Sequence, residues 1–361
     1  MKYYKTIDIY ITKKFLGTFF YAIALILSIA VVFDMSENLD EFLSKDISWG
    51  TIISEYYFNF IPYFANLFSP LFTFIAVIYF TSKMAYNTEI IAIISSGVSY
   101  ARLMRPYMFS ALVLAIFSYM LGNYIIPPAN ETLNEFRQFY IDNNPQVVSD
   151  ERNIHRQIEP GVFIYMQSFN ANNVGYRFTL EKFNGSNLVE KLTADNIRWD
   201  EEQQKWVLNN WWKRKIYESH EEIEKGYRLD TTLNMTPDDY KVVKNEMENY
   251  TTPDLREEIK KMKMRGVNTV EWELEKHKRL AGPFSAFILT IIGAGLASRK
   301  IKGGLGFHLG LGLLLSFSYI LFMQITTVFA ISGNTPPLLA VWIPNLGYSI
   351  IALFVFRWAA R

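Results

Sequence analysis

Few residues in this chain have the types and spacing that chemistry at a site requires. The four histidines, His155, His220, His277 and His308, are scattered, and none stands in a metal-ligand spacing such as HExxH. Gly303, Gly304, Gly306, Gly310 and Gly312 form a glycine-rich run, but it lacks the preceding strand and the lysine of a phosphate-binding loop. There is no GxSxG serine and no carboxylate pair inside an apolar run. With no cysteine, thiol catalysis, disulfides and thiolate metal sites are excluded. No cofactor and no metal are expected, and no catalytic residue is assigned. One stretch does combine a charge with a shaped surface: Lys83 to Pro106, KMAYNTEIIAIISSGVSYARLMRP. Glu89 to Ser99 has helical spacing, with Ile90, Ile91, Ile94 and Val98 on one side and Glu89, Ala92, Ser96 and Ser99 on the other. Gly97 is expected to weaken this helix and Pro106 to stop it. Two readings fit: a helix gripped by a partner, or an interfacial helix lying against headgroups.

The elements around that stretch are long and apolar. Hydrophobic residues make up 50% of the chain and charged ones 20%, a mixture that suits membrane spans joined to a water-soluble portion. A net charge of +1 with no basic patch argues against nucleic acid as a partner. Phe15–Phe33 is uncharged and long enough to span, as is Tyr56–Ser82, which Pro62 and Pro70 interrupt. A third run, Pro106–Ile126, ends at Pro127 and Pro128. Leu280–Ser298 is a fourth, and Gly303–Phe356 is free of charge and long enough for two spans around the turn SGNTPP at Ser332–Pro337. Pro344 is expected to kink the last. Lys2, Lys5, Lys13 and Lys14, the Lys83–Arg105 loop, and Arg299, Lys300 and Lys302 lie on one side, and the acidic Asp34–Glu55 segment on the other. The positive-inside rule makes the first side cytoplasmic, together with both termini. Gly306 and Gly310 form a GxxxG pair, read either as close packing within the bundle or as a partner or gate contact. The first apolar run is too long, and too acidic at its end, for a cleavable signal peptide.

Between the third and fourth runs the pattern changes to period two. Tyr176, Phe178 and Leu180 alternate with Arg177, Thr179 and Glu181, and Asn184–Gly185 reads as a turn. Ile197 and Trp199, the turn 200–204, and Trp206 and Leu208 read as a hairpin, with further strands at Gly161–Ser168 and Lys213–Tyr217. The expectation is an external antiparallel sandwich or roll with an inner face rich in Trp, Tyr and Phe. Helices follow, with Thr252 as N-cap, Pro253 at the first position and Gly266 as a break, then Val270–Arg279.

These segments together resemble the LptF/LptG (YjgP/YjgQ) permease family of the lipopolysaccharide-export ABC transporter. The resemblance runs nearly end to end and is carried by EIIAIISSGVSYARLMRP (Glu89–Pro106), EKHKRLAGP (Glu275–Pro283) and TPPLLAVWIPNLGY (Thr335–Tyr348). It implies an α+β membrane protein of six transmembrane helices, three plus three, with an inserted periplasmic antiparallel β-jellyroll-like domain. The segments would be spans one to three (1–128, with a coupling helix at about 88–99), β domain (129–250), helical connector (251–279) and spans four to six (280–361). It further implies a non-catalytic inner-membrane subunit that works with a cytoplasmic ABC ATPase dimer and with a second permease, as hetero- or homodimer. Other implied partners are a single-span periplasmic jellyroll protein, a periplasmic bridge protein and lipopolysaccharide itself. Glu89, Ala92, Ser96, Gly97 and Arg102 would then couple to the ATPase. Phe15–Phe33 and about Leu305–Ala330 would be gate helices, with Gly306 and Gly310 near the cytoplasmic end of one. Family members often place basic residues at the outer end of the first span, where this chain has Asp34, Glu37, Asp40 and Glu41; its candidate phosphate-binding cations are Lys45, Arg137 and Arg152. Alternatives of other classes are an ABC permease for lipoproteins or peptides, usually on a four-span plan, and a membrane-anchored periplasmic sensor.

Overall fold

In the computed structural model the described residues are 6–45, 47–141, 152–170, 172–217, 219–240, 246–264, 266–299 and 304–360. They fall into two compact units: Met1–Ile141, Met247–Leu255 and Val270–Arg361 form the first, and Asp142–Glu246 with Arg256–Thr269 the second.

The first unit is helical. Helix α1 spans Thr6–Glu37 and is followed by α2, Leu39–Ser44. Helix α3, Trp49–Thr51, runs through a wider π turn at Ile52–Tyr57 into α4, Phe58–Tyr86. A short α5, Glu89–Ser95, precedes α6, Tyr100–Met120, which continues through a π turn at Leu121–Ile125 into α7, Ile126–Phe136, and on to Ile141. After the second unit come α9, Val270–Ala281, α10, Phe284–Ala297, α11, Gly304–Ile331, and α12, Pro337–Ala359. Among the described residues five helices are long and apolar enough to cross a membrane, and α9 with α10, bent by 50°, makes a sixth broken one. The break falls at Gly282–Pro283, between the two helices, where proline has no N–H to continue the ladder.

Several prolines act differently from the sequence-based expectation. Pro62 and Pro70 lie inside α4 without ending it, while Pro344 lies within α12, inside the last span as expected. Pro106 is interior to α6 and does not stop the helix before it; that helix ends at Ser95, and Ser99 caps α6 by accepting the Arg102 N–H at 3.3 Å. Pro127 and Pro128 sit in the first turn of α7, where a missing N–H costs nothing, so the third span continues to Ile141. In membrane helices neighbouring helices and side chains support the backbone around proline, so such residues mark bends more often than ends.

The core near the N-terminal end of α1 is a stack of aromatics: Phe15 on Phe80 at 5.5 Å and Phe80 on Tyr107 at 5.2 Å. The Tyr107 hydroxyl finds Thr81 at 3.1 Å, so the buried phenol is paired. At the opposite end of α1, Phe42, Tyr56 and Phe136 pack edge to face. Close helix contact depends on glycines: a Cβ on Gly295 would lie 2.5 Å from Val355, on Gly312 2.5 Å from Ile78, and on Gly293 3.0 Å from Phe74.

The second unit holds six strands in one antiparallel sheet, ordered as in the sequence: β1 Arg152–Glu159, β2 Val162–Phe169, β3 Val174–Asn184, β4 Asn187–Asp200, β5 Lys205–Ile216 and β6 Glu221–Thr231. Among the described residues this is a meander, whereas the crossing Greek-key connections of a jelly roll place sequential strands apart. One face carries Ile164, Met166, Phe178, Leu180, Leu192, Ile197, Trp206 and Leu208, all buried, and the segment after β6 covers it with Met235 and Tyr240. The Trp206 indole donates to the Met235 carbonyl at 2.9 Å.

A crease crosses this sheet. Asn153, Arg177 and Asn210, on β1, β3 and β5, all have positive φ (59°, 52° and 50°). The strand register sets Arg177 opposite Asp195, and Asp195 opposite Asn210, whose amide donates to the Asp195 carboxylate at 2.9 Å. Across that line the inward-facing residues step by three in place of two: Met166 to Phe169, Gly175 to Phe178, Ala194 to Ile197, Leu208 to Trp211. Strict alternation therefore points Tyr176 inward, yet Gly175 occupies that position and Tyr176 is exposed. Gly175 is obligatory there, since a Cβ would strike Met166 and lie 2.9 Å from Ile197. The hairpin through Trp199 and Trp206 is present as expected, with Trp199 paired to Trp206. Helix α8, Thr252–Met264, starts one residue earlier in its capping than expected: Thr251 accepts the Leu255 N–H with its carbonyl at 2.8 Å and donates its hydroxyl to Asp254.

Candidate functional site

The segment from Lys83 to Arg105 builds a small platform. Thr88, at φ +62°, holds a backbone conformation that β-branched residues rarely adopt, and it turns the chain out of α4 into α5. Gly97, at φ +87°, turns it again into α6. Ile90 is buried among Met84, Ala85 and Met104, and Ile93 packs partly against the same cluster. Ile91 and Ile94 instead face outward with Ala92, Ser95 and Ser96, and Tyr86 is exposed beside them. This corrects the expected facing, in which Ile90, Ile91 and Ile94 shared one side. The helix is too short for a stripe of three isoleucines to bury, so the i, i+3 pair Ile90 and Ile93 anchors it.

Glu89 does not stand free: its carboxylate accepts from the Tyr10 hydroxyl at 3.0 Å and from Asn87 at 3.4 Å. Arg102 makes a two-pronged ion pair with Asp8, both oxygens at 2.7 Å. Ser96 donates to the Ile93 carbonyl at 2.7 Å, closing the helix end. The platform is thereby fastened to the start of α1 at two points, Tyr10–Glu89 and Asp8–Arg102. Asp8 is the functional candidate that sequence reasoning missed. An acid inside a basic N-terminal segment, next to an apolar run, is its signal.

At the other end of α1 the cation candidates separate. Arg137 donates to the Tyr56 hydroxyl at 3.2 Å and lies over the Tyr56 ring at 5.5 Å. Tyr56 in turn donates to Asp34 at 3.1 Å. Asp34 thus belongs to the same polar cluster as Arg137. Lys45 is exposed at the end of α2, and Arg152 opens β1 opposite Ser168 in the second unit. Gly306 and Gly310 are exposed on α11, and a Cβ on either would meet nothing within 4 Å. The tight intra-chain packing expected of one reading is carried by Gly312 and by Gly293 and Gly295 of α10.

A second polar cluster surrounds the α9–α10 bend. Arg279 is buried; it pairs with Glu275 at 2.7 Å and donates to the carbonyls of Tyr250 (2.7 Å) and Met247 (3.1 Å). Glu248 accepts from Asn130 at 3.4 Å. Burial, then the neighbouring Glu275 charge, push the Glu248 carboxyl up to about 7, against the opposing pull of Arg279 and Lys278. Glu248, Glu275, Lys278 and Arg279, with Asn66 and Gln324, line a cavity of about 410 Å3. His220 stacks on Tyr217 and His155 packs at a tilt against Tyr165, both at 4.7 Å, and His308 is buried in α11. No three His, Asp or Glu side chains gather into a metal-binding group among the described residues.

The described residues form a multi-pass α+β membrane protein: apolar helices long enough to span, with a β-sheet unit inserted between the third and fourth spans. The model of the lipopolysaccharide export system permease LptF/LptG family matches residues 9–358, and the chain belongs to that family. It is also similar to the lipopolysaccharide export system permease protein LptG of Escherichia coli strain K12, at 16% identity over 303 residues, 82% of each chain. The LptG protein of E. coli O6:H1 strain CFT073 matches to the same extent.

Proposed function

We propose that this chain is the membrane-embedded permease of an ABC exporter that lifts lipopolysaccharide out of the inner membrane, powered by a separate cytoplasmic ATPase dimer. The observation that carries the reading is the α5 platform: a helix anchored from beneath by Ile90 and Ile93 that presents Ile91 and Ile94 outward, beside the exposed Tyr86 at the end of α4. An exposed apolar face on a rigid, positively flanked loop suits a cleft in a soluble partner. The flanking Lys83, Arg102 and Arg105 support a cytoplasmic location by the positive-inside rule, and with it cytoplasmic termini and a periplasmic β unit. The open glycine face of α11 and the exposed apolar residues of α1 support pairing with a second permease of the family. Family membership supports onward passage of the lipid toward a single-span jellyroll partner and a periplasmic bridge.

In this cycle the ATPase grips α5, and the Tyr10–Glu89 and Asp8–Arg102 contacts convey its displacement to α1, a gate helix. Arg137, near the far end of the same helix, meets the lipid phosphates, with Lys45 and Arg152 as further cations. The deciding experiment compares Ile91→Asp with Glu89→Ala in the purified complex. Ile91→Asp should lose the ATPase on affinity purification, and Glu89→Ala should keep it while lipid release falls relative to ATP hydrolysis. Full assembly and full release in both variants would remove α5 from the coupling role.

A further inference from the structure

Two cavities lie side by side along a groove on the surface of the helical bundle. The larger, about 570 Å3, lies between α10 and α12 and runs from Phe284 and Trp342 to Phe356. The smaller, about 370 Å3, is formed by α6, α10 and α12 and holds Met104, Met108 and Arg105. Ile291 and Phe356 line both, so the two cavities adjoin at these side chains. From Trp342 to Phe356 the groove follows α12 for about 21 Å at helical rise, a large part of the ~30 Å hydrocarbon core.

The polar atoms along it are already engaged. Asn345 accepts from Tyr319 at 2.8 Å and donates to the Ala281 carbonyl at 3.0 Å, and Ser349 donates to the Asn345 carbonyl at 2.7 Å. The groove therefore offers an apolar trough that a polar ligand gains nothing by entering. At its α6 end stands Arg105, exposed and without an ion pair among the described residues. Nearby on the same end, Arg299 is stacked on Trp358 and donates to its carbonyl at 2.9 Å. A long apolar trough ending at an unpaired cation is complementary to one ligand chemistry: an acyl chain carrying an anionic headgroup.

We infer that the α10–α12 groove binds a glycerophospholipid of the cytoplasmic leaflet, acyl chain along Ile291 and Phe356 and phosphate against Arg105. This site is distinct from α1 and α11, the helices assigned to cargo entry, and makes bound phospholipid a structural part of the α10–α12 pair. It uses the orientation adopted under the proposed function but not the identity of the cargo.

The test places the purified full-length protein in nanodiscs of phosphatidylcholine containing a trace of phosphatidylglycerol with a photoreactive diazirine on its acyl chain. Crosslinked peptides are mapped by mass spectrometry, with diazirine-phosphatidylcholine as the comparison. Peptides of α10 and α12 should be labelled about fivefold more by the anionic probe, the ratio expected for one arginine at a lipid surface. Arg105→Gln should abolish that preference, and Ser349→Phe, which fills the trough, should lower labelling by both probes. Equal labelling of all lipid-facing helices, or a preference that survives Arg105→Gln, overturns the site. A probe with the diazirine on its headgroup should mark α6 near Arg105; marking near Trp342 overturns the proposed lipid orientation. Accessibility of single cysteines placed at the two ends of α12 tells that result apart from an inverted topology, which would sink the orientation reading alone.

Discussion

The Asp8–Arg102 pair should fail asymmetrically. Both bonds are 2.7 Å, but the Asp8 side chain is 5% exposed and the Arg102 side chain 24%. Arg102→Gln takes the two-pronged guanidinium partner away from a buried carboxylate, and about 2–3 kcal/mol should be lost, somewhat less than for a fully buried pair because water reaches this guanidinium. Asp8→Asn leaves a cation that can turn toward water and an amide oxygen that still accepts a bond, so about 1 kcal/mol should go. The double variant should recover part of the loss, with a coupling of about 1–2 kcal/mol in a double-mutant cycle. Thermal unfolding of the four proteins in one detergent measures all of this. ATP-driven lipid release measured alongside should fall further than stability predicts if the pair conveys motion to α1. Equal losses in the two single variants, or strict additivity, would refute the assignment of a buried acid held by a half-solvated base.

Four further outcomes follow from the structure. Glu248 titrates near 7 in the folded chain against about 4.5 when exposed, so the folded state holds its proton longer and stability falls as pH rises between those values. Glu248→Gln should therefore raise the melting temperature at pH 8 and change it little at pH 4.5; a gain larger in acid would contradict the sign. Gly312→Val should destabilise the chain by about 1–3 kcal/mol through its clash with Ile78. Gly306→Ala with Gly310→Ala should leave stability unchanged or raised, while co-purification of a second permease drops. At the crease, Arg177→Val should destabilise although valine favours strands, because φ +52° strains a β-branched residue, and Arg177→Gly should not.

The helical half was legible because apolar length and charge bias are one-dimensional properties, and the spans fall on the uncharged runs. Their ends were less so: Pro127–Pro128 reads as a stop in the sequence but serves as the first turn of α7, a role set by the chain that follows. The sheet was legible as strands and as the Trp199–Trp206 hairpin. Its facing was not, because three left-handed residues shift the inward position from Tyr176 to Gly175, and nothing in a period-two pattern announces a step of three. At the platform, Glu89 was visible from its setting. Its partner Tyr10, and the Asp8 that holds Arg102, lie 79 and 94 residues away, and such pairings arise only when α1 packs against α6.

That packing gives α1 a particular mechanical character. Thr6–Glu37 is one unbroken helix, about 48 Å long at 1.5 Å per residue. Its first turns carry Asp8 and Tyr10, bound to the platform, and its last turns carry Asp34, which accepts from Tyr56 under Arg137. Between these ends the contacts are aromatic and aliphatic, at Phe15, Phe19 and Ile23, and such contacts permit sliding more readily than paired charges do. In the proposed cycle, a shift of the platform reaches the Arg137 cluster along α6 and α7, the continuous helical path that carries Arg137 itself, and also through α1, the link that ends at Asp34. Two glycines inserted near the middle of α1 should sever that link. The ATPase would still bind and hydrolyse, and lipid release would fall; undiminished release would show that force reaches the lipid along α6 and α7 alone.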